Sequence, residues 1–249
     1  MAETPLRQET TNNDGGINNT TIKTMIKQFI TATIAAASLT VPALADPEVR
    51  GWQTLDSMGC MMMRECQDDV IRINSVDDLQ AAFPDVDYSY VEEEANGLIT
   101  ELAKMGVGVY LGDSKYFPIA NAGVYYTVGN DFFLSSRYAS SQMRMIRTLR
   151  HEAWHAAQDA MAGTIENNNI AIIYPEESVP QQFVLAADIA YGGNPGVLPW
   201  EREAKWAGST PNMTLDVLKI INETNNKPWE QITPTPMTLE WLERNGFVS

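Results

Sequence analysis

Apolar residues that recur every three or four positions predict helices along most of this chain. The longest such pattern begins at Ser140 or Ser141, either of which can cap a helix, and stops at Gly163, which can end one. The predicted helices span residues 52–63, 75–84, 89–105, 140–163, 180–190, 199–208, 214–222 and 236–245. A chain with this pattern is mainly helical, above all in its C-terminal part.

Two short sequence signals predict where helices start in the first half of the chain. Ser75 with Asp78 and Ser89 with Glu92 both have the spacing of a capping box, in which two side chains satisfy the free backbone N–H groups of the first turn. The three glutamates at 92–94 are expected to be solvated in that first turn, where the helix dipole favours negative charge.

Four short runs with strand-like composition interrupt the helical pattern. They are residues 70–73, 107–111, 123–128 and 131–135, and the last two flank Gly129-Asn130, a pair that is typical of a hairpin turn. The strand, helix, strand order predicts an α+β fold with a small mixed sheet. We expect the hairpin to lie at the sheet edge, packed on the 140–163 helix.

The N-terminal segment has the pattern of a secretory signal peptide over residues 25–45. Lys23 and Lys27 supply positive charge, residues 29–39 are apolar, and Ala43-Leu44-Ala45 is a cleavage site, so the mature chain is expected to begin at Asp46. Residues 1–24 are expected to be a disordered leader or a wrongly assigned start. With no internal repeat or linker, residues 46–249 are predicted to form a single domain.

Charge and hydropathy limit the compartments in which the protein can work and the partners that it can bind. The net charge of −15 makes nucleic acid an unsuitable partner. No segment after the signal peptide is long and apolar enough to span a bilayer, so no stable membrane insertion is expected. The sequence therefore predicts a secreted or periplasmic protein.

The two cysteines, Cys60 and Cys66, are expected to meet an oxidising compartment after export, which favours a disulfide. Six residues of unbroken helix would hold their Cα atoms about 9 Å apart, which is too far for a bond. A disulfide therefore requires the first predicted helix to end between them.

The chemistry of the chain centres on the only two histidines, which form the pattern His151-Glu152-x-x-His155. On a helix the two imidazoles lie one turn apart on one face and can bind one metal ion, with Glu152 in position to act as a general base. The adjoining face is apolar and is expected to be buried; it comprises Ile146, Leu149, Ala153, Ala157 and Ala160. The spacing predicts one zinc ion per chain.

Catalytic zinc usually has three protein ligands, so a third donor is needed and no other histidine is present. Glu201 and Glu203, on the predicted helix after Pro199, are the candidates. Glu203 is preferred because its helix face carries small and apolar side chains that can pack closely on the motif helix, whereas the face around Glu201 carries Lys205. Glu201 remains the alternative.

These residues resemble the gluzincin branch of zinc metallopeptidases, particularly its compact minigluzincin-like forms. The resemblance is carried by His151, Glu152, His155 and the Glu201-x-Glu203-Ala204 segment, and it covers roughly residues 107–208. It implies a zincin-like fold in which a sheet precedes the motif helix and its edge strand holds extended peptide substrate. The 123–135 hairpin would supply that strand.

Some positions depart from the family patterns. Many gluzincins have an Asp four residues after the third ligand, but Ala207 follows Glu203 and Lys205 follows Glu201. The longer metzincin motif is absent, with Gln158 at its Gly position and Met161 at its last His position.

The resemblance also implies a mechanism in which zinc held by His151, His155 and Glu203 activates a water for peptide hydrolysis, with Glu152 as the base. Peptides or proteins would be the substrates. Tyr191, Tyr174 and Tyr138 have the chemistry to stabilise an oxyanion.

Gln158 and Asp159 follow His155 by about one turn and could orient a ligand, although a solvated position near the helix end suits both equally well. The competing hypothesis is an exported binding or structural protein whose zincin-like zinc site is catalytically inactive.

Overall fold

The structure is a computed structural model, and it describes residues 58–249. The helices, in chain order, are α1 (Met58–Met62), α2 (Val76–Ala82), α3 (Glu92–Lys104), α4 (Ser136–Ala139), α5 (Gln142–Met161), α6 (Gln181–Tyr191), α7 (Leu198–Ser209), α8 (Met213–Glu223) and α9 (Pro236–Arg244). The strands are β1 (Val70–Arg72), β2 (Gly108–Gly112), β3 (Gly123–Tyr126) and β4 (Asp131–Ser135).

The four strands form one mixed sheet in the order β1-β2-β4-β3. β1 pairs antiparallel with β2, β2 pairs parallel with β4, and β3 pairs antiparallel with β4 at the edge. The predicted α+β class with a small mixed sheet and an edge hairpin is confirmed. Asn130 adopts a φ of 51°, which lets the hairpin turn close.

The sheet buries both of its faces, as the alternation along β4 shows. Phe132 and Leu134 point into the main core, which is formed with α3, α5, α7 and α8. Phe133, between them, points to the opposite face and packs with Met58 and Met61 of α1. The short α1 segment therefore covers the side of the sheet that the long helices leave open.

Helix α5 is the central element of the fold. The predicted apolar face is buried throughout: Ile146, Leu149, Ala153, Ala157 and Ala160 are at most 1% exposed. The helix ends at Met161, and Gly163 follows with a φ of 116°, which a residue with a side chain rarely adopts. The predicted span and its stop signal are both confirmed.

One expectation about α3 is wrong, and a second holds for two of its three residues, since Glu92 and Glu93 are exposed as expected. The Ser75–Asp78 capping box forms at α2, but Ser89 does not cap α3, whose N-cap is Val91 without a side-chain hydrogen bond. Glu94 is not solvated, because it accepts a hydrogen bond of 2.7 Å from Arg150 Nε on α5 and forms a buried ion pair with the same side chain. This partner lies 56 positions away, which is why a local pattern did not predict it.

Cys60 and Cys66 form the expected disulfide, with their Cα atoms 5.4 Å apart. Helix α1 ends at Met62, between the two cysteines, so the geometric condition for the bond is met. Residues 52–57 of the first predicted helix lie outside the described residues.

None of the described helices is long and apolar enough to cross a membrane. The leader, the signal peptide and the cleavage site after Ala45 lie outside the described residues.

Candidate metal centre

His151 and His155 project from the same face of α5, as their spacing predicts. Their ring centroids are 4.9 Å apart and the rings are perpendicular, so the two Nε2 atoms can approach one point from different directions. His155 is buried and His151 is partly exposed to the adjoining cleft.

Glu201 on α7 completes a cluster with the two histidines. Its Oε2 lies 3.3 Å from His151 Nε2 and its Oε1 lies 3.7 Å from His155 Nε2. One ligand atom from each of the three residues falls within 4.8 Å of the others, a spacing that suits a single bound ion. These three residues could hold a metal ion.

A buried carboxylate oxygen without a well-formed hydrogen bond supports this assignment. Glu201 Oε2 is buried, and no described residue donates a well-formed hydrogen bond to it. Burial alone would raise the pKa of Glu201, but the neighbouring histidines lower it to about 2, so the carboxylate is ionised. A buried carboxylate beside two imidazoles, with one oxygen that lacks a well-formed hydrogen bond, fits a divalent cation.

This geometry replaces Glu203, which the helix-face argument favoured, with Glu201 as the candidate third ligand. As predicted, the face around Glu203 packs against α5, since Ala204 and Ala207 are fully buried. The direction of the Glu203 carboxylate was not predicted. Glu203 is 1% exposed and turns away from the histidines toward the chain after α5.

Glu203 is instead the centre of a hydrogen-bond network. It accepts bonds from the backbone N–H groups of Ile173 (3.0 Å) and Tyr174, and from Trp154 Nε1 at 3.2 Å. The Gln158 amide donates the fourth bond, at 2.7 Å. Glu203 therefore anchors the segment after α5 and fixes Gln158.

Gln158 links this network to the metal centre. Its Oε1 lies 2.8 Å from His155 Nδ1, and its Nε2 donates to Glu203 and to Trp200 O. The suggestion that Gln158 orients a ligand is supported by these contacts. Asp159 contacts Tyr125 instead, whose hydroxyl donates to Asp159 Oδ2 at 2.9 Å.

Glu152 faces the cleft beside the histidines, where the motif predicts it. Its Oε2 accepts a hydrogen bond of 3.0 Å from the backbone N–H of Tyr125 on β3. Burial raises the pKa of Glu152 to about 7, against the opposing effect of His155. A carboxyl with this pKa can both take and return a proton near neutral pH.

The three candidate tyrosines are in different environments. Tyr191, the last residue of α6, lines the cleft, and burial together with the charges of Glu201 and Glu152 raises the pKa of its hydroxyl. Tyr174 stacks on Trp154 with a centroid distance of 5.9 Å, and Tyr138 packs beside Arg144. Of these tyrosines, only Tyr191 is among the residues that line the cleft.

The cleft has a volume of about 390 Å³ and runs between β3 on one side and α5 and α7 on the other. Gly123 on β3 lies so close to α5 that an added Cβ would sit 2.8 Å from Thr148 Cγ2 and 3.0 Å from Glu152 Cγ. The edge strand is therefore held directly against the helix that carries the histidines.

Several residues that shape the cleft were not predicted from the sequence to do so. Tyr125 contributes through its backbone N–H, which any residue would supply, so no sequence signal marks it. Arg147 and Lys205 also line the cleft. Their positions, one turn before His151 and one turn after Glu201, could have indicated this once α5 and α7 were paired.

A cation at this centre would have two imidazole nitrogens, a carboxylate, an adjacent acid–base group and an open cleft. Comparison of the chain with protein-family models, with curated proteins and with solved structures gives no match.

Proposed function

We propose that this protein is an exported zinc metallopeptidase with a zincin-like, gluzincin-type active site. The observation that carries the proposal is the convergence of His151, His155 and Glu201, with Glu152 beside them, in a cleft bounded by an edge strand. Two imidazoles and one carboxylate form a typical ligand set of catalytic zinc, which leaves a coordination position for water or substrate.

Zinc, when bound, would polarise the scissile carbonyl and acidify a water molecule. Glu152 then accepts the proton of that water at its carboxylate and passes it to the leaving amine. Its position is held by the Tyr125 N–H. Tyr191 lines the same cleft, burial and the nearby carboxylates raise the pKa of its hydroxyl, and this hydroxyl would donate a hydrogen bond to the carbonyl oxygen.

The edge strand supports a peptide as the substrate. Within residues 58–249, β3 pairs with β4 on one side only, and the Tyr125 N–H points to the other side, where it reaches Glu152. Backbone groups of alternate residues, including Gly123, therefore face the cleft and can pair with an extended peptide. Such pairing would align a backbone carbonyl beside Glu152.

Export of the protein is supported by the signal-like sequence at 25–45 and by the Cys60–Cys66 disulfide, a bond that forms in oxidising compartments. We propose secretion or transfer to the periplasm.

The test is to measure zinc content and peptide cleavage for the wild type and for Glu152→Gln. We expect about one zinc per chain in both proteins, hydrolysis of peptides by the wild type, and loss of hydrolysis by a factor of at least about 10³ in Glu152→Gln. Zinc binding without cleavage of a diverse peptide library would favour the inactive binding or structural protein. Absence of zinc binding would exclude both hypotheses.

A further inference from the structure

Two basic side chains, Arg147 and Lys205, line the cleft of this strongly acidic protein. Arg147 lies on α5 one turn before His151, and Lys205 lies on α7 one turn after Glu201. Each cation therefore lies on the same helix face as a candidate metal ligand.

The packing of α5 on α7 brings the two cations to the same end of the cleft. The helices are antiparallel, because Gln158 contacts Trp200 at one end and Gly208 approaches Arg147 at the other. A Cβ at Gly208 would lie only 3.0 Å from Arg147 O, so the backbones are nearly in contact there.

Neither cation has an ion-pair partner in the part of the chain that the structure describes. No acidic side chain of residues 58–249 forms an ion pair with Arg147 or Lys205, whereas Arg150 pairs with Glu94 and Arg202 pairs with Asp188. The Lys205 ammonium is held over the Tyr191 ring, 5.5 Å from its centroid. From there its charge acts on both Glu152 and Glu201.

We propose that Arg147 and Lys205 bind a carboxylate of the substrate, supplied by an acidic side chain or by a free C-terminus. The inference rests on the proposed peptidase function and adds a substrate class to it. The guanidinium can bind a carboxylate through two parallel hydrogen bonds, and the ammonium adds a point charge beside the metal centre. Two cations without an ion-pair partner among residues 58–249, in a protein of net charge −15, also attract an anionic group that the rest of the surface repels.

The test separates binding from cleavage by using zinc-loaded Glu152→Gln. Three labelled peptides of equal length are titrated by fluorescence anisotropy: one with an acidic side chain and an amidated C-terminus, one neutral with a free carboxylate, and one neutral and amidated. We expect at least one carboxylate peptide to bind about tenfold more tightly than the neutral amide. Which of the two binds tightly identifies the source of the carboxylate.

The preference should disappear when Arg147→Gln and Lys205→Gln are added together. The matched control is Lys219→Gln, which removes an exposed cation of α8 outside the cleft and should leave the preference intact. Equal affinity for all three peptides, no binding of any of them, or a preference that survives the double substitution would overturn the inference.

Cleavage of the same peptides by the wild type tests the peptidase function separately. Charge-dependent binding without cleavage by the wild type would retain the carboxylate site and reject the peptidase. Cleavage without charge preference would retain the peptidase and reject the carboxylate site.

Discussion

His155 Nδ1 lies 2.8 Å from Gln158 Oε1, one turn later on the same helix. Because the Gln158 amide group donates its N–H to Glu203 at 2.7 Å, the Gln158 oxygen is the atom that faces the imidazole. The imidazole must then carry its proton on Nδ1, which leaves the Nε2 lone pair free on the side of Glu201. Glu203, although it does not reach the histidines, thus selects the His155 tautomer that can bind a metal.

Replacement of Gln158 by methionine should weaken zinc binding without removing a ligand. The side chain keeps its length but loses the amide oxygen that accepts the hydrogen bond of His155 Nδ1–H, so we expect the zinc affinity to fall by about 10- to 100-fold. Competition titration with a chromogenic chelator measures this change. Gln182→Met, on the exposed part of α6, is the matched control, and equal affinities for both variants would argue against the orienting role.

Glu203→Gln should destabilise the fold. The buried carboxylate accepts four hydrogen bonds, and an amide would direct an N–H group at donors such as the Ile173 and Tyr174 N–H groups. We expect a loss of roughly 1–3 kcal/mol in the free energy of unfolding, measured by urea denaturation of the metal-free protein. Glu201→Gln, two residues away, is the comparison, and its effect on the metal-free stability should be smaller.

Asp159 should make stability depend on pH in the direction opposite to a salt-bridged carboxylate. Burial raises its pKa to about 8, although the Tyr125 hydroxyl donates a hydrogen bond to it. The unfolded chain has an aspartate pKa of about 3.9, so the folded state holds the proton more tightly. Its contribution to stability is therefore complete below pH ~4 and is lost as the pH rises through about 8.

Asp159→Asn cannot ionise and should remove this contribution. We expect the unfolding free energy of the metal-free wild type to fall between about pH 5 and 8, by at most about 1.4 kcal/mol per pH unit from this residue, and the fall to be smaller in the variant. The pKa of Glu152 is also raised, so Glu152 adds a pH dependence of the same sign to both proteins. The informative quantity is therefore the difference between the stability curves of the wild type and the variant. Parallel stability curves would show that Asp159 is ionised in the fold.

Gly123→Ala should impair catalysis while zinc binding persists. The added methyl group would press on Thr148 and Glu152 and move β3 away from α5 by a few tenths of an ångström. Because proton transfer depends on the position of Glu152, we expect kcat/KM for peptide cleavage to fall roughly tenfold or more, with unchanged zinc content. An unchanged kcat/KM would mean that the fit of β3 on α5 does not position the base.

The sequence predicted the parts of the site that depend on local periodicity. His151, Glu152 and His155 lie on one helix, so their spacing alone determines that they share a face. The choice between Glu201 and Glu203 depends on what α7 meets. The N–H groups of residues 173 and 174 bind Glu203, and no periodicity in α7 indicates that partner.

The fold also has features that local sequence patterns predict and features that depend on contacts between distant residues. The apolar stripe of α5 and the hairpin before it followed from the pattern of side chains. Long-range polar contacts did not, as the pairing of Glu94 with Arg150 illustrates. Side chains that look solvated in sequence are buried where a distant partner satisfies their charge.

Zinc affinity measured side by side for the wild type, Glu201→Gln and Glu203→Gln tests the central claim most directly. If Glu201 completes the centre with His151 and His155, the wild type and folded Glu203→Gln bind about one zinc per chain, and Glu201→Gln binds it at least about 100-fold more weakly. Wild-type affinity in Glu201→Gln, with loss of zinc in folded Glu203→Gln, would contradict the account.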